Sequence, residues 1–297
     1  MKIALLHSRI RMEEKLLVQA IENAGVEYDL IDMRRVYFDL ERPDQWQQYD
    51  VVLERCVSHS QAMAALQIFN MWGIPTVNNY DVGMICGDKI HTSLALIMAG
   101  VPTPSVRVAM SQDRAIEAIN EMGYPAVLKP ATGSWGRLLA RVDDQNAAES
   151  IIEHKMTLGS YQHSIIYAQE YVEKPQRDIR TFVVGDECIC GIMRESEHWI
   201  TNTARGGKAS NCPITPELAQ ISVDAAHAVG GGVLAIDVME TPAGDYTINE
   251  VNYTMEFKNS IAPTGVDIPA KMIEYVIQVG EGRLQTSDAK NQVASPI

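Results

Sequence analysis

Residues 233–252 read VLAIDVMETPAGDYTINEVN, and this stretch is the most informative part of the sequence about the fold. Two runs rich in β-forming residues flank a turn at Ala243, Gly244 and Asp245, so the stretch predicts a β-hairpin. One carboxylate, Asp237, stands inside the first apolar run. A charge there costs free energy unless it is paired or binds a cation. The hairpin therefore predicts a buried acidic position that needs a partner.

Asp237, Glu250 and Asn252 form a candidate metal site. Glu250 and Asn252 are two residues apart, so their side chains leave the same face of a strand, and the hairpin brings that face beside Asp237. Two carboxylates and an amide oxygen are hard ligands that suit Mg²⁺, which completes an octahedron with phosphate oxygens and waters. The same residues also fit a buried polar network, or an aspartate at a strand end. The spacing alone leaves both interpretations open.

Five cations occupy spaced positions outside the hairpin. Lys89 opens a helix, Lys129 ends a strand, Arg180 and Arg194 lie in strands, and Arg205 lies in a polar loop. A lone Lys or Arg is ordinarily a solvated surface residue. Lys129 is harder to explain in that way because it follows an apolar run. Cations at strand ends need a local anion, and nucleotide phosphates would supply one.

Two short segments extend this nucleotide-binding pattern. Residues 132–137 (TGSWGR) lie between two predicted strands, and their glycines permit backbone N–H groups to approach phosphates. The segment has neither a P-loop ending nor the GxGxxG pattern. Residues 168–173 (AQEYVE) form a strand that turns polar, where backbone groups can pair with adenine and a carboxylate can hold ribose. An ordinary hairpin and an exposed strand end are the alternative interpretations.

The periodicity of the whole chain predicts three units. Strands and helices alternate up to residue 79, which predicts a small parallel sheet. Residues 88–172 predict a compact α+β unit, and residues 179–279 predict a third unit that contains the hairpin. Within the third unit, residues 197–211 are predicted to be a polar loop. The tail from residue 282 is polar and aperiodic, so we expect it to be disordered.

Composition and charge exclude several classes of protein. The chain has 297 residues, of which 46% are hydrophobic, which is typical of a globular protein. Its net charge of −13 argues against broad binding to nucleic acid or to an anionic membrane. No apolar run approaches the length of about 18 residues that a membrane span needs. The five cysteines are scattered without CxxC spacing, so we expect reduced thiols and a cytoplasmic location.

The order of these features is more specific than any one of them. Along the chain the features follow in this order: Lys89, Lys129, the small-residue loop, the QEYV strand end, the DIR strand at 178–180, the NTARGG segment at 202–207, Asp237 and the NEVN segment. That order resembles the RimK-like branch of the ATP-grasp superfamily, over residues 2–279. The resemblance implies an α/β (α+β) ATP-grasp fold whose N-terminal pre-ATP-grasp domain contains a parallel sheet. The implied domains are 1–85 (pre-ATP-grasp), 86–175 (central), 176–281 (C-terminal, with the Mg²⁺ site) and a disordered tail at 282–297.

Four longer blocks resemble the LysX family of α-aminoadipate–LysW ligases. They are residues 53–58 (LERCVS), 133–137 (GSWGR), 198–207 (HWITNTARGG) and 249–260 (NEVNYTMEFKNS). The resemblance implies that ATP phosphorylates the side-chain carboxylate of the C-terminal glutamate of LysW, a small acidic carrier protein. The amine of L-2-aminoadipate would then attack the acyl phosphate. ATP and Mg²⁺, as two ions, are the implied cofactors, and we expect a homodimer or homotetramer.

The resemblance also implies residue roles. Lys89 and Lys129 would bind phosphates, Asp178 would lie near the ribose, and Asp237, Glu250 and Asn252 would hold the Mg²⁺ ions. Arg205 is the candidate to stabilise the tetrahedral intermediate. The remaining implied contacts to ATP are made by Gly133, Ser134, Trp135, Gly136 and Arg137 over the phosphates, by Gln169, Glu170, Tyr171 and Val172 around the adenine, and by Arg194 and Asn202 near the γ-phosphate.

Substrate binding is assigned to the loop that follows the metal strand and to the first strand end. The candidates are Arg9, Arg180, Thr254, Phe257, Lys258, Asn259 and Ser260. A basic patch around Arg9, Arg55, Lys208 and Lys258 is expected to receive the acidic carrier. One methylene separates aminoadipate from glutamate, which is worth only about 1–3 kcal/mol of discrimination. A glutamate-using or bifunctional LysW ligase is therefore one alternative. Two others are a RimK-like ligase with another acceptor and a nucleotide-binding regulatory module without turnover.

Overall fold

The computed structural model describes residues 1–133, 138–159, 164–201 and 208–284. Helices and strands combine into three sheets, one of them fully parallel, so the predicted α/β (α+β) class is confirmed. Within the described ranges all five cysteines are free. None of the helices in those ranges has the length and apolarity needed to cross a bilayer.

The first sheet is parallel, as the alternation of strands and helices predicts. Its strands are β1 (Lys2–His7), β2 (Glu27–Asp32), β3 (Val51–Arg55) and β4 (Thr76–Val77), in the order β2-β1-β3-β4. Helices α1 (Met12–Asn23) and α2 (His59–Met71) follow β1 and β3. Parallel strands are buried on both faces, which is why β1 and β3 are almost completely buried and contain the apolar runs 3–6 and 51–53. Their carboxyl ends meet at one edge, which faces the rest of the molecule.

Two short helices lead out of this sheet. Helix α3 (Tyr80–Gly87) is capped by Asn79, and α4 (Lys89–Met98) is capped by Asp88, whose carboxylate accepts from the backbone of Ile90 and His91. The cap fixes Lys89 at the first position of α4. Helix α3 was not predicted, since its sequence YDVGMICG contains two glycines and lacks a helical apolar stripe.

The second sheet is antiparallel and forms its own core. Its strands are β5 (Val106–Ala109), β6 (Ala126–Lys129), β7 (Ala140–Val142) and β8 (Ile166–Glu170), in the order β5-β8-β6-β7. Helices α5 (Gln112–Met122) and α6 (Gln145–Leu158) cover one face of the sheet. The buried side chains of these elements form a separate cluster, so this central unit is packed largely against itself.

The third sheet contains the hairpin. Its strands are β9 (Arg177–Val184), β10 (Glu187–Glu195), β11 (Lys208–Asn211), β12 (Val233–Glu240) and β13 (Tyr246–Asn252), in the order β11-β10-β9-β12-β13. Helices α7 (Pro216–Ala228), α8 (Lys258–Thr264) and α9 (Ile268–Gly280) pack on it. The prediction that residues 197–211 form a loop is wrong for Lys208–Asn211. This polar strand pairs only with β10 at the sheet edge, so it carries no apolar signature.

The first and third sheets share one hydrophobic core. Side chains of β1, β3 and α1 lie in the same cluster as those of β9, β12 and α9. Asn78, which follows β4, joins the two sheets. Its Nδ2 donates to the carbonyls of Val233 (2.8 Å) and Tyr253 (2.7 Å), and its Oδ1 accepts from the Val233 backbone (2.7 Å). One side chain therefore holds the start of β12 and the segment just after β13.

Gly232 allows this approach, since its φ is +106° and a Cβ there would overlap Asn78 Oδ1. We expect Gly232→Ala to lower the free energy of unfolding by about 3–5 kcal/mol, through backbone strain and loss of the Asn78 hydrogen bonds. Gly244→Ala is the matched control, because Gly244 also has a positive φ, of +89°, but open space around its Cβ. Urea unfolding of both variants measures the difference, and equal losses would contradict this account of Asn78.

Candidate active site

A cleft lies between the second and third sheets. Residues from β6, β8, β9, β10, β12 and β13 line it, together with the segments that follow β8 and β10. Most of the described side chains that line the cleft are polar or aromatic: Lys129, Gln169, Glu170, Tyr171, Lys174, Asp178, Arg194, Trp199, Thr201, Asp237, Asn249 and Glu250, with Val127, Leu139, Val172, Ile200 and Met239 as apolar walls.

 Among the described residues, the lining comprises twelve polar or aromatic side chains and five apolar ones. The cleft therefore suits a charged ligand that has one flat apolar part.

Asp237 stands at the centre of a buried ion-pair network. Arg180, directly opposite on β9, donates through Nε to Oδ1 (2.7 Å) and through Nη2 to Oδ2 (2.8 Å). Arg194 Nη2 lies 3.2 Å from the same Oδ1. Burial alone would raise the pKa of Asp237, which is only 6% exposed, but the two guanidinium groups outweigh it and lower the pKa. Asp237 is therefore a stable anion, as its place in an apolar strand requires.

Asp178 anchors the other end of this network. Its Oδ1 accepts from Arg194 Nε at 2.6 Å, and its Oδ2 accepts from the Thr201 hydroxyl and lies 3.7 Å from Lys174 Nζ. Lys174 also donates to Thr201 Oγ1 at 2.7 Å. Burial lowers the pKa of Lys174, although Asp178 opposes the shift. Two cations and one carboxylate thus face the cleft together, which leaves positive charge for an anionic ligand.

Lys129 and Lys89 approach the cleft from the central unit. Lys129, only 7% exposed, donates to Asn249 Oδ1 at 2.8 Å, and burial lowers its pKa to about 8 against the attraction of Glu250. Lys89 donates to the carbonyl of Gly133 at 2.6 Å and lies 3.5 Å from Glu250 Oε1. Both ammonium groups therefore lie near Glu250, and Lys89 also contacts residue 133, at the start of the glycine-containing segment.

A β-bulge in the hairpin brings an unpredicted residue to the site. Asp237 pairs with Glu250, but Val238 pairs with Ile248, so Asn249 is the extra residue in β13. Strict alternation would put Asn249 and Glu250 on opposite faces, yet both line the cleft. Sequence reasoning missed Asn249 for this reason, and it also missed Lys174 and Thr201. Lys174 precedes Asp178 by four residues, which was an available signal, whereas Thr201 lies 23 residues after Asp178.

The hairpin side chains can accommodate Mg²⁺. Among the described residues, no three His, Cys, Asp or Glu side chains cluster as a metal site. Mg²⁺ in nucleotide sites, however, needs only one or two carboxylates in addition to phosphate oxygens. Three of about four lone-pair directions of Asp237 are used by the arginines, which leaves one on Oδ2. Glu250 lines the cleft, whereas Asn252 does not, and only the amide oxygen of Asn252 could bind the ion. The two carboxylates fit Mg²⁺.

The end of the cleft at β8 is flat and partly aromatic. Strand β8 ends at Glu170, so Tyr171 and Val172 continue into the cleft wall beyond the ladder. The Tyr171 ring lies under Arg141, 4.4 Å from its guanidinium carbon, and 6.4 Å from the Trp199 ring. Gln169 is almost fully buried beside them. A planar base can pack against this aromatic and apolar surface while its edge faces the strand end.

The structure leaves six predicted site residues undescribed. Ser134, Trp135, Gly136, Arg137, Asn202 and Arg205 lie outside the described residues. Among the substrate candidates, Arg9, Lys258 and Asn259 are exposed, and Thr254 donates to Glu54 Oε2 at 3.1 Å. Phe257 and Ser260 are buried in the core.

The expectation that Arg55 contributes to a basic surface patch is wrong. Arg55 is 2% exposed and donates to the carbonyl of Met255 at 3.0 Å. Its guanidinium also lies 3.4 Å from Glu14 and over the Phe257 ring. An arginine at the end of a buried parallel strand can reach only groups inside the junction of the two sheets, so it holds the loop after β13 and not a carrier.

Comparison with known proteins agrees with this geometry. Residues 3–85 match the family model described as the LysX preATP-grasp domain, and residues 86–276 match the RimK-like ATP-grasp domain. The chain belongs to the RimK-like ATP-grasp family. The matched region includes both sheets that form the cleft and all the charged residues that line it.

Relatives of this RimK-like chain carry two different names. It is 34% identical to the glutamate–LysW ligase ArgX of Sulfolobus acidocaldarius over 278 residues, which cover 93% of this chain and 98% of the relative. It is also 34% identical to the α-aminoadipate–LysW ligase LysX of Sulfurisphaera tokodaii over 279 residues, with the same coverage. The crystal structure of a RimK domain protein from Sphaerobacter thermophilus has a TM-score of 0.78 at 26% identity, and the match covers 93% of this chain and all of that one.

This RimK-like chain is an ATP-dependent carboxylate–amine ligase. It uses ATP and Mg²⁺, as ligases of the ATP-grasp fold do. The D-alanine–D-alanine ligase of Bacillus anthracis, solved with ATP, shares the fold at 15% identity and a TM-score of 0.69. The interpretation of the chain as a regulatory module without turnover therefore loses its support.

The depressed pKa of Lys129 predicts a pH-dependent stability. Below pH 8 the folded chain holds a buried charge that costs free energy, and as pH rises from about 8 towards 10.5 that cost disappears. Lys129→Met removes this titration. The free energy of unfolding of the variant minus that of wild type should therefore fall by about 2 kcal/mol between pH 7 and 9.5, because only wild type gains stability. Urea unfolding of both proteins at the two pH values measures this difference. A difference that is independent of pH would show that Lys129 has an ordinary pKa.

Proposed function

We propose that this ligase joins the amino group of L-2-aminoadipate to the side-chain carboxylate of the C-terminal glutamate of LysW, in lysine biosynthesis. The observation that carries the proposal is the register of the hairpin, which pairs Asp237 with Glu250 between Lys89 and Lys129. Similarity to relatives named LysW ligases supports the carrier. The block at residues 249–260, which resembles the LysX family, supports aminoadipate.

Lys89 and Lys129 are the proposed phosphate ligands. Both ammonium groups lie near Glu250, and Lys129 is held in place by Asn249. An anion between them would replace part of the hydration that burial has removed from Lys129, and it would favour the protonated form. Residues 133–137 continue from the carbonyl that Lys89 contacts, and we assign them to the phosphates as well. Arg194 and Asn202 are assigned to the γ-phosphate.

The base and the ribose are assigned to the other end of the cleft. The backbone of residues 169–172 lies where β8 leaves its ladder, and we assign it to the edge of adenine. Tyr171 and Trp199 supply the flat walls. Asp178 lines the same cleft, but its two oxygens already bind Arg194, Thr201 and Lys174. We therefore propose that Arg194 and Lys174 contribute to the surroundings of the ribose together with the Asp178 carboxylate.

We assign Asp237, Glu250 and Asn252 to hold Mg²⁺. When bound, the metal would neutralise charge on the transferring phosphoryl group. Arg180 and Arg194 keep Asp237 ionised and fix its carboxylate plane, so the residues provide a preorganised site. Arg205 is proposed to stabilise the oxyanion that forms when the amine attacks the acyl phosphate.

Substrate contacts are assigned to the junction of the first and third sheets. Arg180, Thr254, Lys258 and Asn259 border this junction, and Arg9 is exposed at the end of β1. We propose that Phe257 and Ser260 act by fixing the loop, because both are buried. With Arg55 buried, the exposed cations left to attract an acidic carrier from the expected patch are Arg9, Lys208 and Lys258.

Glutamate is the second candidate for the amine substrate. The relatives named ArgX are 33–34% identical to this chain, and those named LysX are 34–36% identical, so overall identity does not separate them. A pocket that discriminates by one methylene gives about 10–200-fold selectivity. A bifunctional enzyme is therefore compatible with the same site.

The direct test is an intact-mass assay. Purified chain is incubated with ATP, Mg²⁺ and LysW, and with either L-2-aminoadipate or L-glutamate, in the expectation that LysW gains the mass of one aminoadipate residue. Release of ADP and phosphate should accompany the gain. A mass gain only with glutamate would favour the second candidate, and no gain with either amino acid would contradict LysW as the acceptor.

Glu250→Gln tests the metal assignment without unpairing a buried arginine. Removing one carboxylate weakens the charge neutralisation during phosphoryl transfer, so kcat/KM should fall by about 10²-fold or more. The Mg²⁺ concentration for half-maximal rate should rise. Glu217→Gln, an exposed change in the first turn of α7, is the control. Unchanged Mg²⁺ dependence in Glu250→Gln, measured by ADP release, would contradict the assignment.

A further inference from the structure

A second group of charges lies between the start of α1 and the loop after β13, outside the nucleotide cleft. Arg11, which precedes α1, donates to Glu14 through Nε (3.0 Å) and Nη2 (2.8 Å). Its Nη1 reaches Glu256 Oε1 at 3.3 Å, across to the loop after β13. Glu14 also accepts from the Arg11 backbone at 2.7 Å and lies 3.4 Å from Arg55. Glu14 is therefore fully matched, and Glu256 has one longer contact.

Glu13 lies next to this group and is short of a donor. Glu13 is 1% exposed, and no side chain or backbone group of the described chain donates to its buried Oε1. A buried carboxylate oxygen without a donor is costly, so the site is incomplete as it stands. Glu13 is close enough to Glu256 to raise the pKa of that carboxylate, so the two acids share one small region.

The position of Glu256 connects this region to the reacting end of the site. Burial raises the pKa of Glu256, and Arg11, Arg180 and Lys258 oppose the rise while Glu13 adds to it. Arg180 is the residue that clamps Asp237. Asp237 and Arg194 line the nucleotide cleft, whereas Arg180 and Glu256 do not. Glu256 is therefore near enough to Arg180 for their charges to interact, yet it lies outside the nucleotide cleft, so an amino acid bound there would not displace ATP.

We propose that Glu13 and Glu256 bind the ammonium group of the incoming amino acid, and that Glu256 takes one of its protons before the amine attacks. The inference rests on the proposed function, because it needs an acyl phosphate as the electrophile. An ammonium group brings three N–H donors, which match the unpartnered Glu13 oxygen and the Glu256 carboxylate. Its positive charge would also offset the charges of Glu13 and Glu256, since Arg11 is shared between Glu256 and Glu14.

The chemistry of amide formation requires such a step. A protonated amine has no lone pair, so one N–H proton must pass to a base, here the Glu256 carboxylate. The nitrogen lone pair then forms the C–N bond, and the bond from the acyl carbon to the phosphate oxygen breaks. The second proton leaves with the phosphate, which departs as hydrogen phosphate. A carboxylate whose pKa is raised accepts a proton more readily than an ordinary one.

Hydroxylamine separates this step from formation of the acyl phosphate, since it is uncharged at neutral pH and needs no base. The assay compares Glu256→Gln with wild type in two reactions with ATP, Mg²⁺ and LysW, one with aminoadipate or glutamate and one with hydroxylamine. Transfer of the amino acid should fall by about 10²–10⁴-fold. Formation of the LysW hydroxamate should stay close to wild type, which also shows that the variant folds.

The pH dependence gives a second readout. Without the base, the Glu256→Gln rate should rise about tenfold per pH unit between pH 7 and 9, as the free amine becomes more abundant. The wild-type rate should rise less steeply. Glu274→Gln, an exposed change on α9, is the matched control for the loss of one negative charge and should leave both reactions unchanged.

Each other result overturns the inference. If Glu256→Gln loses both reactions equally, Glu256 acts in activation or folding, and if it loses neither, it is not the base. If wild type forms hydroxamate but Glu256→Gln keeps full amino-acid transfer, only this inference fails. If wild type forms no hydroxamate on LysW, the proposed function fails, and the inference fails with it.

Discussion

The burial of Asp237 in an apolar strand is the constraint on which the site depends. Taking a carboxylate out of water is tolerated only when strong donors surround it, and Arg180 and Arg194 supply them from the two strands next in the sheet. Asp178 in turn fixes Arg194. A register shift of one residue in β9, β10 or β12 would leave a buried charge without its partner. The network therefore fixes the register of the strands in the third sheet, and this register places Glu250 opposite Asp237.

The first sheet completes the site indirectly. The segment that leaves β13 is held by Asn78 at Tyr253, by Glu54 at Thr254 and by Arg55 at Met255. All three holding residues lie at or near the carboxyl ends of parallel strands, the edge at which α/β sheets commonly bind ligands. Here that edge binds a loop of the same chain, and it presents Glu256 towards Arg180.

The sequence allowed much of this to be predicted, because the decisive features are local. The parallel sheet follows from alternating strands and helices, and the hairpin follows from two β-rich runs around a glycine turn. Asn249 could not be predicted, since a bulge breaks the alternation that the prediction assumes. Arg55 was misplaced because its partners are Glu14 and Met255, far away in sequence. Lys129 was identified, but its depressed pKa depends on burial between two sheets, which no local pattern reports.

The separate packing of the central unit has a mechanical consequence. The first and third sheets share a core, and α4 contributes Leu96 to the cluster on the other face of the third sheet, whereas the second sheet has a core of its own. Thr103 and the Pro102 carbonyl are hydrogen-bonded to Ile248, so the first connector is tethered as far as Thr103. The second connector runs from Tyr171 to Gln176, between β8 and β9. A rotation of the central unit about these two connectors would therefore change the separation of Lys129 from Asp237, because the two residues belong to separately packed sheets.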